Sequence, residues 1–262
     1  MTRAGEAEEG QRVFGRWWFL ELLRGGGDEH RPAKRRLTKE QQELVLGEWA
    51  VLRERLHGFA AARVADAGEV LAGAELRLTG DPARRDSAQR DYGWALEAYD
   101  AAGKLLDEAA DLPDLAAAAV LAERAVERFA AADARSRGRR APKGVTRCFY
   151  NPLHGAAAQP GGASRRPPRR TRPREAAANR RPACEDCRRA ILAGQSPDVL
   201  PALVPVRTSR RHTAQVLVPY YAVPQQWSIW SATGCGAYGD ESPGLVMRGD
   251  HRRRVAPVVV KR

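Results

Sequence analysis

Residues 83–119, ARRDSAQRDYGWALEAYDAAGKLLDEAADLPDLAAAA, decide the fold. Ala88, Tyr92, Ala95, Tyr99, Ala102, Leu106 and Ala109 alternate by four and three without a break, which is the seam of a helix lying against another helix. The spacing predicts a helix over 83–110. Small Ala knobs allow close approach, and the two Tyr rings fill what the alanines leave open. Asp111-Leu112-Pro113-Asp114 reads as a stop followed by a start, with Pro113 tolerated in a first turn. The next helix is expected over 115–134, carrying Ala118, Ala122, Val126 and Phe129 on one face.

Upstream, Thr38-Lys39-Glu40-Gln41 is a capping-box sequence, in which the Thr38 hydroxyl accepts from the Gln41 amide while Gln41 reaches back. Val45, Trp49, Leu52, Leu56 and Phe59 continue it at spacings of four and three. Gly47, Gly58, Gly68 and Gly73 each cost a helix about 1 kcal/mol relative to Ala, so packing must hold this one. Thr79-Gly80-Asp81-Pro82 is read as its end. Short connections make the three helices antiparallel neighbours, a bundle over 38–135. Its charges are read as a solvated face and His57 as a residue without a site, so the bundle's natural roles are support and the binding of a protein partner.

The chain has 262 residues, 43% of them hydrophobic, with 44 Lys and Arg against 32 Asp and Glu. Arg richness is also what a high-GC genome produces, so the place of the excess is more telling than its size. Residues 135–190 hold sixteen Lys or Arg against three Asp or Glu, a balance of +13, leaving −1 for the remainder of the +12 total.

That basic segment, 136–197, carries three of the four cysteines. Cys148 and His154 stand in CFYNPLHG with the turn-forming Asn151-Pro152 between them, and Cys184 and Cys187 stand in CEDC at the start of a short helix ending near Gly194. Three thiolates and an imidazole are the soft set that a tetrahedral Zn2+ takes. A turn supplying two ligands and a helix start supplying two is a treble-clef-like layout. All four positions are protein atoms, so the zinc is structural and no catalytic constellation is found; the chain reads as non-enzymatic. Two other readings of these residues stay open: free thiols with His154 capping a turn, and a redox pair of Cys184 with Cys187. Cys235 is read as a small buried residue.

Between the ligand pairs, Arg165, Arg166, Arg169, Arg170, Arg172 and Arg174 form an Arg-Pro-rich run with too little apolar surface to order itself. It could hold nucleic acid non-specifically or an anionic membrane surface, or be a solvated loop. It has no aromatic residue for base stacking.

At the ends, 1–37 contains the apolar VFGRWWFLELL (13–23), read as an arm folded onto the protein in preference to one lying on a membrane surface through its aromatics, then a Gly25–Gly27 linker. Over 198–262 the Pro-broken VLPALVPV and QVLVPYYAVP predict edge strands, followed by an aromatic segment and a loose tail. Gly234, Gly236 and Gly239 spell G-x-G-x-x-G, but no helix is expected after them and the fingerprint is discounted. No run is long and apolar enough to span a membrane, and no secretory signal begins the chain, so a cytoplasmic location is expected.

AYDAAGKLLDEAADLPDLAAA, CFYNPLHG, CEDCRRAI and VPYYAVPQQWSIWSATG together resemble uncharacterised actinobacterial proteins. In these, coiled-coil-like helical segments precede a CFxNPLHG…CxxC zinc-type module. The resemblance covers residues 83–250, CFYNPLHG being its most specific part, and implies no activity. The similar proteins have a strand-forming stretch where this chain has its Arg-Pro run, and lack an equivalent of Cys235. The expected fold is mainly α: a three-helix bundle, a small zinc module, and an irregular Pro-rich tail.

Overall fold

The computed structural model describes residues 38–73, 81–158, 180–209, 212–252 and 258–259. The apolar stretch 13–23, the Gly25–Gly27 linker and the Arg run 165–174 lie outside the described residues.

Helix α1 spans Lys39–Ala72 and opens with the expected capping box. Thr38 Oγ1 accepts from the Gln41 amide at 3.2 Å, and Gln41 Oε1 accepts from the Thr38 amide at 3.0 Å. It ends earlier than Thr79, at Gly73, whose amide closes on Glu69 O. Trp49, Leu52 and Leu56 pack on the core as the spacing predicts. Phe59 does not: it is 36% exposed, and Ala60, Val64 and Ala67 take its place inward. A strict seven-residue repeat drifts about 20° per heptad around a straight helix, and two heptads carry Val45's successors off the buried side.

Helix α2, Pro82–Glu108, buries or half-buries every residue of its predicted seam. It also buries Ala98, Ala101 and Leu105 beside the seam, because a second element covers that side. Gly68 of α1 is there for Tyr99: a Cβ at 68 would lie 2.7 Å from the Tyr99 hydroxyl.

Helix α3, Leu112–Ser136, is the central element. One buried face was expected, yet Leu112–Ala122 is buried all round. α1 and α2 cover two sides, and the strand at Pro201–Ser209, a 3-10 turn at Pro152–His154 and the short helix at Trp230–Thr233 cover the others. A helix apolar on every face is a buried helix.

After the short α4 (Glu185–Ala193) the chain forms β1, Pro201–Ser209, and β2, His212–Pro219, an antiparallel hairpin. The tail adds β3, Val258–Val259, parallel to β1. The sheet order β2-β1-β3 makes β1 central rather than an edge, and gives part of the tail a place. Pro201, Leu203 and Pro205 all present their backbone nitrogens to the same side of the strand. There the Leu203 amide bonds to Asp111 instead of β2, and opposite Pro205 the Gln215 amide bonds to Gln42. The prolines therefore remove no ladder bond. β3 joins only at Val206 and Arg207, beyond them.

Helices α5 (Trp230–Thr233) and α6 (Ser242–Met247) close the far side of α2 and α3. Bundle residues such as Leu105, Leu115 and Leu121 and tail residues such as Val218, Tyr220 and Trp230 are all buried, most of them in one shared core. No described helix is long and apolar enough to cross a membrane.

The charges of the bundle are more than a solvated face. Asp91 is buried and pairs with Arg128 and Arg135. Arg124 and Arg128 both hold Asp240 and both stack over Trp94, pinning the turn before α6 onto α2 and α3.

Candidate metal centre

The first two ligands come from one reversal of the chain. Asn151 accepts the Leu153 amide on its side chain and the His154 amide on its carbonyl, which forms the turn at Pro152–His154. Gly155, at φ +78°, then sends the chain back so that its carbonyl accepts from the Cys148 amide at 3.2 Å. Arg147 and Ala156 form an antiparallel bridge beside it. Cys148 and His154 thus stand at the two ends of one tight loop, as Asn151-Pro152 suggested.

The other two come from the start of α4. Cys184 is its N-cap, and its sulfur accepts from the Cys187 amide at 3.5 Å. Gly194 ends α4 in the left-handed conformation, as expected. Two backbone bonds join the halves: Phe149 N to Pro182 O at 2.7 Å and Ala158 N to Ala183 O at 2.8 Å.

One ligand atom from each of Cys148, His154, Cys184 and Cys187 lies within 4.8 Å of the others. His154 Nδ1 is 3.5 Å from Cys184 Sγ and 3.4 Å from Cys187 Sγ. Bonds of about 2.3 Å to sulfur and 2.0–2.1 Å to nitrogen at tetrahedral angles put N–S edges near 3.5 Å. The cluster is therefore already the size of a tetrahedral site, and these four residues are positioned to hold a metal ion.

The surroundings fit the same purpose. His154 Nε2 faces Asp198 Oδ2 at 3.0 Å, the carboxylate partner that fixes a metal-binding imidazole and raises its basicity. Asp198 and the Cys148 sulfur together push His154 up to about 10. The hydrogen bond between Cys187 and Cys148 holds the Cys148 thiol well below its ordinary range and pushes Cys187 up. A metal ion bound here would take the place of these shared protons. Cys148 is fully buried, and Cys187 and Cys184 are nearly so. All four cysteines of the chain are free thiols.

The loop is anchored outward on every side. Tyr220 donates its hydroxyl proton to Phe149 O at 2.6 Å, Leu200 N bonds Tyr150 O, and Tyr238 donates to Arg147 O. Arg147 itself is buried and reaches Glu123 at 2.6 Å and Glu127 at 2.7 Å on α3.

Sequence reasoning missed Asp198 and Arg147. Asp198 comes eleven residues after Cys187, and only the reversal at Gly194 brings it back to His154; no spacing rule marks it. Arg147 was one of sixteen basic residues in its segment. Cys235 is fully buried in the main core, apart from the cluster. A six-residue helix, α6, does follow Gly234, Gly236 and Gly239, contrary to expectation, but no strand leads into them. These glycines serve turns at φ +59°, +78° and +74°. The Arg run 165–174 lies outside the described residues and is not placed relative to the cluster.

Comparison of the chain with family models, with curated proteins and with solved structures gives no match. Fold and site together define a mainly helical protein with a Cys3His cluster fit for a metal ion.

Proposed function

We propose that Cys148, His154, Cys184 and Cys187 bind one structural Zn2+, and that the chain is a non-enzymatic scaffold whose helical bundle serves a protein partner. The observation that carries this reading is the closed ligand set: three sulfurs and one imidazole nitrogen within 4.8 Å, with Asp198 behind the imidazole. Sulfur-rich tetrahedral sites select zinc over the harder magnesium and calcium. A closed set keeps no position for a reacting water. The ion joins two segments, 147–158 and 180–200, that otherwise meet through a few backbone bonds, the His154–Asp198 contact, the Arg181 guanidinium over the Phe149 ring and a small apolar cluster. Leu44 and Val51, exposed on the outer side of α1, are consistent with a scaffold that meets another protein.

Metal analysis of the purified chain tests the zinc reading. About one equivalent is expected, reduced by Cys184→Ser and retained by Cys235→Ala, and cobalt substituted for zinc should show the absorption of a tetrahedral thiolate site. Less than about half an equivalent, unchanged by Cys184→Ser, would overturn it.

A further inference from the structure

The end of α3 and the start of α2 flank a second site that the zinc reading does not use. An open groove lies there, lined by Arg84, Arg135, Arg139 and Arg140 with Ser87 and Gly138, and no acidic side chain lines it among the described residues. The local chain explains the gathering. Gly138, at φ +70°, reverses the backbone after α3, its amide bonding Arg135 O and the next amide bonding Ala134 O at 2.7 Å. That reversal lays Arg139 and Arg140 back beside the first turn of α2, where the Arg84 guanidinium is 3.5 Å from where a Cβ on Gly138 would be.

Two of the four guanidinium groups are held from behind: Arg135 by Asp91, and Arg139 by Asp133 at 3.1 Å. Arg84 and Arg140 have no carboxylate partner among the described residues. Arg84 and Arg140 therefore bring two unpaired positive charges to one concavity, which favours an anion between them. Guanidinium groups match phosphate oxygens in two-pronged pairs.

We propose that this groove is a binding site for an oligophosphate group. No aromatic ring lines it among the described residues, so it takes the phosphates and reads no base. This assignment is independent of the zinc reading, because the groove shares no residue with the Cys3His cluster.

The test uses the full, metal-loaded chain and inorganic pyrophosphate as probe, titrated by calorimetry and by thermal shift at fixed ionic strength. Pyrophosphate should raise the melting temperature where sodium chloride of equal ionic strength does not, and its affinity should fall steeply with added salt. Arg84→Gln combined with Arg140→Gln should weaken binding tenfold or more while helical circular dichroism and metal content stay native. Deletion of residues 160–178 should leave the affinity within twofold. Equal binding by the double variant, loss of binding on the deletion, or a pyrophosphate effect no larger than that of chloride would each overturn the proposal.

Discussion

Asp111 and Asp114, three residues apart, tie together elements that the sequence leaves unconnected. Asp111 accepts from the Trp49 indole of α1, from its own helix at Leu112 and from Leu203 of β1, all at 2.8 Å. Asp114 accepts from the amides of Ala110 and Asp111, and from the Trp230 indole at 2.6 Å. The stop-and-start reading of Asp111-Leu112-Pro113-Asp114 located the turn but gave no sign that its carboxylates would be buried. Burial is the dominant influence on both: it pushes Asp111 from the ordinary 3.8 up to about 6, against the pull of its donors, and raises Asp114 as well. The sign of the pH effect follows. A carboxyl with a raised folded-state value binds protons more readily in the fold, so its contribution is greatest below pH 3.8 and is lost as pH rises through 6. Comparing the native chain with Asp111→Asn, both stripped of metal, should show the native losing stability relative to the variant between pH 4 and 7. The loss is on the order of 3 kcal/mol. Denaturant midpoints across that range measure it, and parallel curves would sink the assignment.

At the scale of elements, what was legible and what was not follows from where the deciding neighbour lies. The α1 capping box and the α2 seam need only residues within a turn or two, and both stand in the structure as the spacing indicates. The burial of α3 was hidden because LAAAAVLA has no polar face to mark an outer side, so only the later sheet and tail reveal that it is enclosed. β1 looked like an edge because of Pro201 and Pro205, and the capping of its free side by Asp111 is a contact across 92 residues. The glycines of the 234–239 turn are legible now as backbone requirements. A Cβ at Gly234 would stand 2.4 Å from the Tyr238 ring, at φ +59°. Gly234→Ala should therefore cost about 2 kcal/mol or more, read from urea unfolding. Arg124 binds the same turn through Gly239 O and Asp240, each at 2.7 Å. Arg124→Ala should cost about 2–3 kcal/mol, the value of hydrogen bonds to a charged group. It should also raise amide exchange in α6 ahead of α1, and a uniform rise across both helices would contradict that docking role.

For the whole molecule, the question is whether the metal holds up the fold or only one part of it. The main core runs through the bundle, the sheet and α5, and it contains none of the four ligands. Cys148, Ala183, Cys184 and Cys187 form a separate small cluster with Tyr150 against it. The large terms, burial of α3 and of Val204, Val218, Tyr220 and Trp230, are therefore present with or without a metal ion. The ligand-bearing segments have little else: a nine-residue helix, one bridge and a handful of loop bonds, too little to order themselves without a cross-link. Arg147 fixes one end by its two glutamates, and Tyr220 holds Phe149, so loosening should stop at those anchors. Removing the metal with a chelator should abolish exchange protection over residues 151–158 and 182–198 while leaving that of 95–125 within threefold. Helical circular dichroism should fall by only the small share that α4 contributes. The thiols of Cys148, Cys184 and Cys187 should then react with a maleimide, and Cys235, in the main core, should not. Loss of protection through α3 on chelation would show instead that metal and bundle unfold as one unit.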